Sequence, residues 1–144
     1  MKKVSAKPAA SVMVVRESNQ KLEVLLLKRN QKITFHGGAW VFPGGRVDDT
    51  DSADFALESL EAGRLAGVRE VNEEAGLTLE SSSLIPFSHW TTPVDLPKRF
   101  ATWFFFATTS SEKEVKIDNS EIVDFMWISP DKALKSHRDG MIEL

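Results

Sequence analysis

Three carboxylates, Glu70, Glu73 and Glu74, fall within five residues just ahead of Gly76. Glycine placed there is a common helix stop. The C-terminal end of a helix is partly negative, so acids are disfavoured in its last turn. Like charges at i,i+4 repel as well. A divalent cation removes both penalties, and clustered hard oxygen donors are what Mg²⁺ or Mn²⁺ prefers. Upstream, "FPGG" (Phe42 to Gly45) can expose backbone N–H and C=O groups beside such a site. Carboxylates next to a glycine turn imply metal-assisted chemistry on phosphates. From spacing alone, a solvated acidic face on a weak helix competes with this reading.

The carboxylates need a helix to carry them, and the pattern predicts one from about Ala56 to Ala75, with Ser52 or Asp54 as N-cap. At roughly 100° per residue, Leu57, Val68, Val71 and Ala75 form an apolar stripe, with Leu60 at its edge. The stripe should face the core and the carboxylates should point elsewhere. Gly63 and Gly67 fall on the carboxylate side, at a cost of about 1 kcal/mol each relative to alanine. Their position suggests a close approach to the backbone there.

Around this helix, "SVMVVRES" and "EVLLLKRN" read as strands. "AWVFPGG" is a short strand stopped by Pro43, Gly44 and Gly45. "SLIPFSHWTTP", "FATWFFFATT" and "IVDFMWIS" are further strands. Ser129 and Pro130 open a last helix as N-cap and N1 residue. The pattern predicts an α/β fold, a mixed sheet packed between helices, in one domain spanning 1–144. A net charge of -3 argues against nucleic acid as a partner. Zero cysteines exclude disulfides, thiolate nucleophiles and cysteine zinc sites. No segment is apolar for long enough to span a membrane. The expected location is the cytoplasm, and either a monomer or a homodimer is compatible with the sequence.

From Glu61 onward, "EAGRLAGVREVNEEAGL" resembles the Nudix box, G-x5-E-x7-R-E-U-x-E-E-x-G-U with U apolar. The resemblance implies a Nudix-type α/β/α sandwich and metal-dependent hydrolysis of a diphosphate bond. The box places five residues between its glycine and first glutamate, whereas fifteen separate Gly45 from Glu61. "RVDDTDSADFALESL" is therefore identified as an enlarged connection. Such an insertion is similar to that of the Nudix subgroup containing peroxisomal coenzyme A diphosphatases.

By this resemblance, Glu70 and Glu74 match the principal metal ligands, Glu73 an auxiliary one, and Gly44 or Gly45 a backbone carbonyl at the metal. Arg69 matches an orienting arginine and can pair with Glu73 at i,i+4. Glu61 matches the first box glutamate, in an orienting role, with a pair to Arg64 possible at i,i+3. Glu121 resembles a catalytic base of some relatives, with Glu112 and Glu114 as competitors. Arg29, Arg46, Lys98 and Arg99 are candidates for holding phosphate. Trp40, Trp90, Phe100 and Trp103 are candidates for stacking on a base, although aromatics in such strands are more often core. His36 and His89 could contact phosphate, and His137 is given no role.

The implied substrate is a small nucleoside diphosphate derivative, of coenzyme A or ADP-ribose type. The alternative is a non-catalytic Nudix domain that senses a nucleotide or mediates contacts. In the connection, Asp48, Asp49, Asp51 and Asp54 are expected to face solvent or cap the helix. Phe55 and Leu57 are expected to anchor it to the body.

Overall fold

The structure, a computed structural model, describes residues 5–32 and 37–144. Valine-rich β1 (Lys7–Ser18) sits in the middle of the sheet. It runs parallel to β6 (Phe100–Thr108), and β6 pairs antiparallel with the edge strand β5 (Ile85–Thr91). On its other side β1 divides its pairing. Val15–Ser18 meets β2 (Lys21–Arg29), and Ala9–Ser11 meets β4 (Gly44–Arg46). Beyond β2 lie β3 (Trp40–Val41) and β7 (Ile122–Ile128), both antiparallel to it. Among the described residues this is one mixed, seven-stranded sheet.

Alternation along β1 and β2 sends side chains to two faces. Val12, Val14, Leu25, Leu27 and Phe105 form the core beneath α1 (Leu60–Ala75). Val24 and Leu26 face α2 (Pro130–Arg138), where they line a groove with Ala133. A helix therefore covers each face, as an α/β/α sandwich requires. Ser129 caps α2, accepting from the Lys132 N–H at 3.4 Å, with Pro130 in its first turn. No helix among the described residues is long and apolar enough to cross a membrane.

Three expectations are corrected. First, α1 begins at Leu60, and its N-cap is Ser59, whose Oγ accepts from the Ala62 N–H at 3.1 Å. Ser52 and Asp54 belong to a run of turns in which Ser52 Oγ donates to Asp49 O. Second, Gly44–Gly45 does not end a strand but forms β4. A Cβ on Gly44 would strike the Ala10 carbonyl oxygen of β1, so only glycine fits.

Third, the face of α1 that meets the sheet is built of Ala62, Gly63, Ala66, Gly67 and Val71, and Glu74 lies on it. A Cβ at Gly67 would come to 3.0 Å from both Val12 and Leu84, and one at Gly63 to 2.9 Å from Trp103. The glycines let the helix settle closely on the sheet, and Glu70 and Glu74 are carried inward with them. Val68 and Leu60 do pack on the core at the margin, while Leu57 precedes the helix and is exposed. Gly44→Ala is expected to destabilise the fold by about 3 kcal/mol, read as a lower melting temperature. An unchanged melting temperature would contradict this packing.

Candidate active site

Glu74 is 5% exposed, and its Oε1 accepts the Gly44 N–H of β4 at 2.8 Å. Burial pushes its carboxyl up to about 8. The Gly44 N–H and Arg29 pull it down, while the Glu70 and Glu121 charges push it further up. Glu70, one turn earlier, is also raised, chiefly by burial, with Arg69 opposing and Glu73 and Glu121 adding to the rise. Its carboxylate stands within 3.0 Å of where a Gly45 Cβ would be. Two inward carboxylates thus meet the backbone of β4, where the Ala10 carbonyl requires glycine at position 44 and a Cβ on Gly45 would displace the Glu70 carboxylate.

Arg69 holds the outer side of this pair. Its Nη1 donates to Glu70 Oε1 at 2.8 Å and to Glu73 Oε2 at 3.2 Å. The expected i,i+4 pair with Glu73 is therefore formed. Its Nε and Nη2 grip Asp51, at 3.1 Å to Oδ1 and 2.9 Å to Oδ2, and Nη2 also donates to Arg46 O. Asp48 lies 3.4 Å from Nη2. Asp51 raises the arginine further above its ordinary value, more than any other neighbour.

Asp51 is only 4% exposed, which corrects the expectation that the connection's aspartates face solvent or cap the helix. The buried Asp51 carboxylate finds its counter-charge in the half-buried Arg69 guanidinium. Asp48 instead caps its own turn, accepting the Thr50 and Asp51 N–H groups, and a hydrogen bond from the Thr50 side chain holds its carboxyl below the usual range. Asp49 and Asp54 are exposed, as expected. Phe55 and Leu57 are 44% and 38% exposed, so they do not anchor the connection; Val47 and Asp51 are its buried residues. Composition hid Asp51 among four aspartates, and only its spacing from Gly45 distinguishes it.

A cavity of about 1040 Å³ opens over the carboxylates. Glu70, Glu74, Arg69, Gly44, Gly45 and Glu121 line it, as do Arg29, Arg46, Lys98 and Phe100 from the phosphate and stacking candidates. Glu121 is set at its rim because the Asn30 N–H donates to its carbonyl at 2.8 Å, beside the β2–β7 register shift after Lys28.

The remaining candidates lie elsewhere. Arg99 gives its Nε to Thr92 O, and Trp90 is exposed on β5; neither lines the cavity. Trp103 donates to Glu58 O and packs under Gly63, and His89 sits edge-on to the Trp103 ring at 4.4 Å. Trp40 lines the groove on the α2 side, and His137 Nδ1 accepts the Leu144 N–H. Glu112 and Glu114 are exposed in the loop after β6 and do not line the cavity. Glu61 is exposed in the first turn of α1, about 13 Å along the axis from Glu70. Arg64 donates to Leu84 O, so the Glu61–Arg64 pair does not form. His36 lies outside the described residues.

As they stand, no three acidic or histidine side chains among the described residues converge on one point. The donor set nevertheless fits a hard cation. Glu70 and Glu74 share a cleft, where the Glu70 charge raises the Glu74 carboxyl, and the Glu73 carboxylate lies one Arg69 hydrogen bond away.

The family model for the NUDIX domain matches residues 6–144. A Caenorhabditis elegans protein described as nudix hydrolase 7 is 26% identical over 97% of this chain and 57% of its own length. An acyl-coenzyme A diphosphatase of Xenopus laevis is 24% identical over 83% of this chain and 56% of its own. The chain thus spans a little over half the length of these two relatives. Among solved structures, a NUDIX hydrolase from Alicyclobacillus acidocaldarius is similar with a TM-score of 0.82 at 20% identity, over 96% of this chain and 85% of that one. The sheet order, the inward carboxylates of α1 and a match running over nearly all the described residues agree: the chain belongs to the Nudix family.

Proposed function

We propose that this chain hydrolyses a diphosphate bond in a nucleoside diphosphate linked to a second moiety, of coenzyme A or ADP-ribose type, with Mg²⁺ or Mn²⁺. The observation that carries the reading is the convergence of Glu70 and Glu74 on β4, inside a cavity also lined by Arg29, Arg46 and Lys98. A cavity lined by both carboxylates and cationic side chains would suit a diphosphate bound together with a divalent cation. The chain's similarity to an acyl-coenzyme A diphosphatase supports a substrate of that kind.

Glu70 and Glu74 would hold the cation, with Glu73 as an auxiliary ligand and a Gly44 or Gly45 carbonyl beside them. When bound, the cation would supply an acidified water and offset charge on the leaving phosphate. Arg69 orients Glu70 and Glu73 through one guanidinium nitrogen. Glu121, at the cavity rim, takes the proton from the attacking water. Arg29, Arg46 and Lys98 hold the remaining phosphate charge, and Phe100 offers an apolar surface to the rest of the substrate.

The test is a screen of coenzyme A, acyl-coenzyme A, ADP-ribose and other nucleoside diphosphate derivatives with Mg²⁺ or Mn²⁺, products being identified by mass. Cleavage between the two phosphates is expected, disappearing in chelator and returning with the ion. Turnover undiminished in chelator overturns the metal role. Tight nucleotide binding without cleavage of any diphosphate would favour the sensor alternative.

A further inference from the structure

We infer that Asp51 is a positioning residue of the cation site, acting through Arg69 on Glu70 and Glu73. The inference rests on the proposed function and concerns the enlarged connection between Gly45 and Glu61. Asp51 uses both carboxylate oxygens on the Nε–Nη2 side of Arg69. That leaves Nη1, on the opposite side of the same rigid plane, for Glu70 and Glu73. A guanidinium gripped on one side by two oxygens is fixed in plane and direction. The orientation is therefore passed on to the two carboxylates.

Asp51 is itself held. The Asp48 N–H donates to its Oδ2 at 3.0 Å, within the turns that follow β4.

Chain spacing agrees independently. Five residues, 46–50, separate Gly45 from Asp51, as five separate the glycine from the first acid of the box pattern. Seventeen residues, 52–68, then separate Asp51 from Arg69, ten more than the pattern's seven. The ten extra residues therefore fall after the first acid, in the exposed turns that lead to the Ser59 cap. Glu61 matches the pattern when counted back from Arg69 but does not reach the arginine. Asp51 matches when counted forward from Gly45 and does reach it.

The test measures Mn²⁺ binding to the substrate-free protein by calorimetry, alongside steady-state kinetics. Asp51→Asn is expected to weaken Mn²⁺ binding at least about tenfold and to lower kcat about 10–100-fold. KM at saturating Mn²⁺ should stay within about twofold. Asp54→Asn, on the same segment, should change neither. The paired variant Asp51→Leu/Arg69→Met removes the buried carboxylate together with its half-buried partner, so it should keep a melting temperature near wild type yet bind Mn²⁺ as weakly as Asp51→Asn.

Wild-type Mn²⁺ affinity in Asp51→Asn overturns the inference, as does a loss carried by Glu61→Gln in its place. A paired variant that regains both melting temperature and Mn²⁺ affinity shows an ion pair that serves folding alone, which also overturns it. If Asp51→Asn does not fold, the paired variant decides. A wild type that binds Mn²⁺ but cleaves no diphosphate overturns the proposed function and leaves the binding comparison standing.

Discussion

Glu74→Gln is expected to lower kcat about 1000-fold, the loss of roughly 4 kcal/mol of charge stabilisation at the reacting phosphate. The same substitution should raise the melting temperature of the metal-free protein at alkaline pH. The sign follows from burial. The Glu74 carboxyl sits near 8 in the folded chain against an ordinary 4.5, so the folded state binds this proton more tightly than the unfolded state does. That contribution is fully present below the ordinary value and is lost as pH rises through about 8. Metal-free wild type should therefore lose melting temperature between pH 5 and 9, by an amount equivalent to a few kcal/mol.

Glutamine keeps an acceptor for the Gly44 N–H but cannot ionise, so most of the slope should vanish in the variant. A residual slope belongs to Glu70, which is raised in the same direction. Mg²⁺ should stabilise wild type more at pH 8 than at pH 5, because its ligands must be deprotonated to bind it. Parallel melting curves for wild type and variant across this range would remove the burial argument. Wild-type turnover in Glu74→Gln would remove the catalytic one.

Most strands were readable from sequence as short runs of apolar, β-branched or aromatic residues bounded by turn signals, but β4 was not, because its glycines read as a stop. β1, β2 and β6 are such runs, and the Ser129–Pro130 helix start is equally local. The orientation of α1 was not readable. Val71 and Ala75 of the expected apolar stripe do lie in the core, but the rest of the sheet-facing surface is Ala62, Gly63, Ala66 and Gly67. Small residues score weakly as apolar, but they let a helix approach a sheet more closely than leucine would. Helix spacing pointed the carboxylates away from the core, whereas Glu74 is buried on the sheet side; the clustering of Glu70, Glu73 and Glu74 and the i,i+4 Arg69–Glu73 pair were legible from that spacing. The Asp51–Arg69 pair was not, because it joins positions eighteen apart across a run of turns. No helical or strand period spans that distance. Residue type alone pointed to Trp90 and Arg99, and neither lines the cavity: Trp90 is exposed on the edge strand β5 and Arg99 gives its Nε to Thr92 O.

Glu121→Gln is expected to lower kcat by about 10²–10⁴-fold while leaving Mn²⁺ affinity and melting temperature unchanged. β7 pairs with β2 as far as Lys28–Asp124, the register shifts, and Ile122 then lies opposite Arg29. Glu121 follows at the open end, tied by its carbonyl to the Asn30 N–H, while the Asn30 side chain donates to Ser120 O at 3.0 Å. Its backbone is thus fixed at the rim of the cavity while its side chain stays exposed. Its charge acts on both inward carboxyls, pushing Glu70 and Glu74 upward. A carboxylate close enough to do that, yet not gripped by Arg69, is placed to accept a proton from water between it and the cation site. If it served as a ligand instead, the substitution would weaken Mn²⁺ binding along with turnover, and calorimetry separates the two roles. If Glu112 or Glu114 served as the base, Glu121→Gln would keep its rate, and the acid limb of the pH–rate profile would shift only on substitution in the loop after β6.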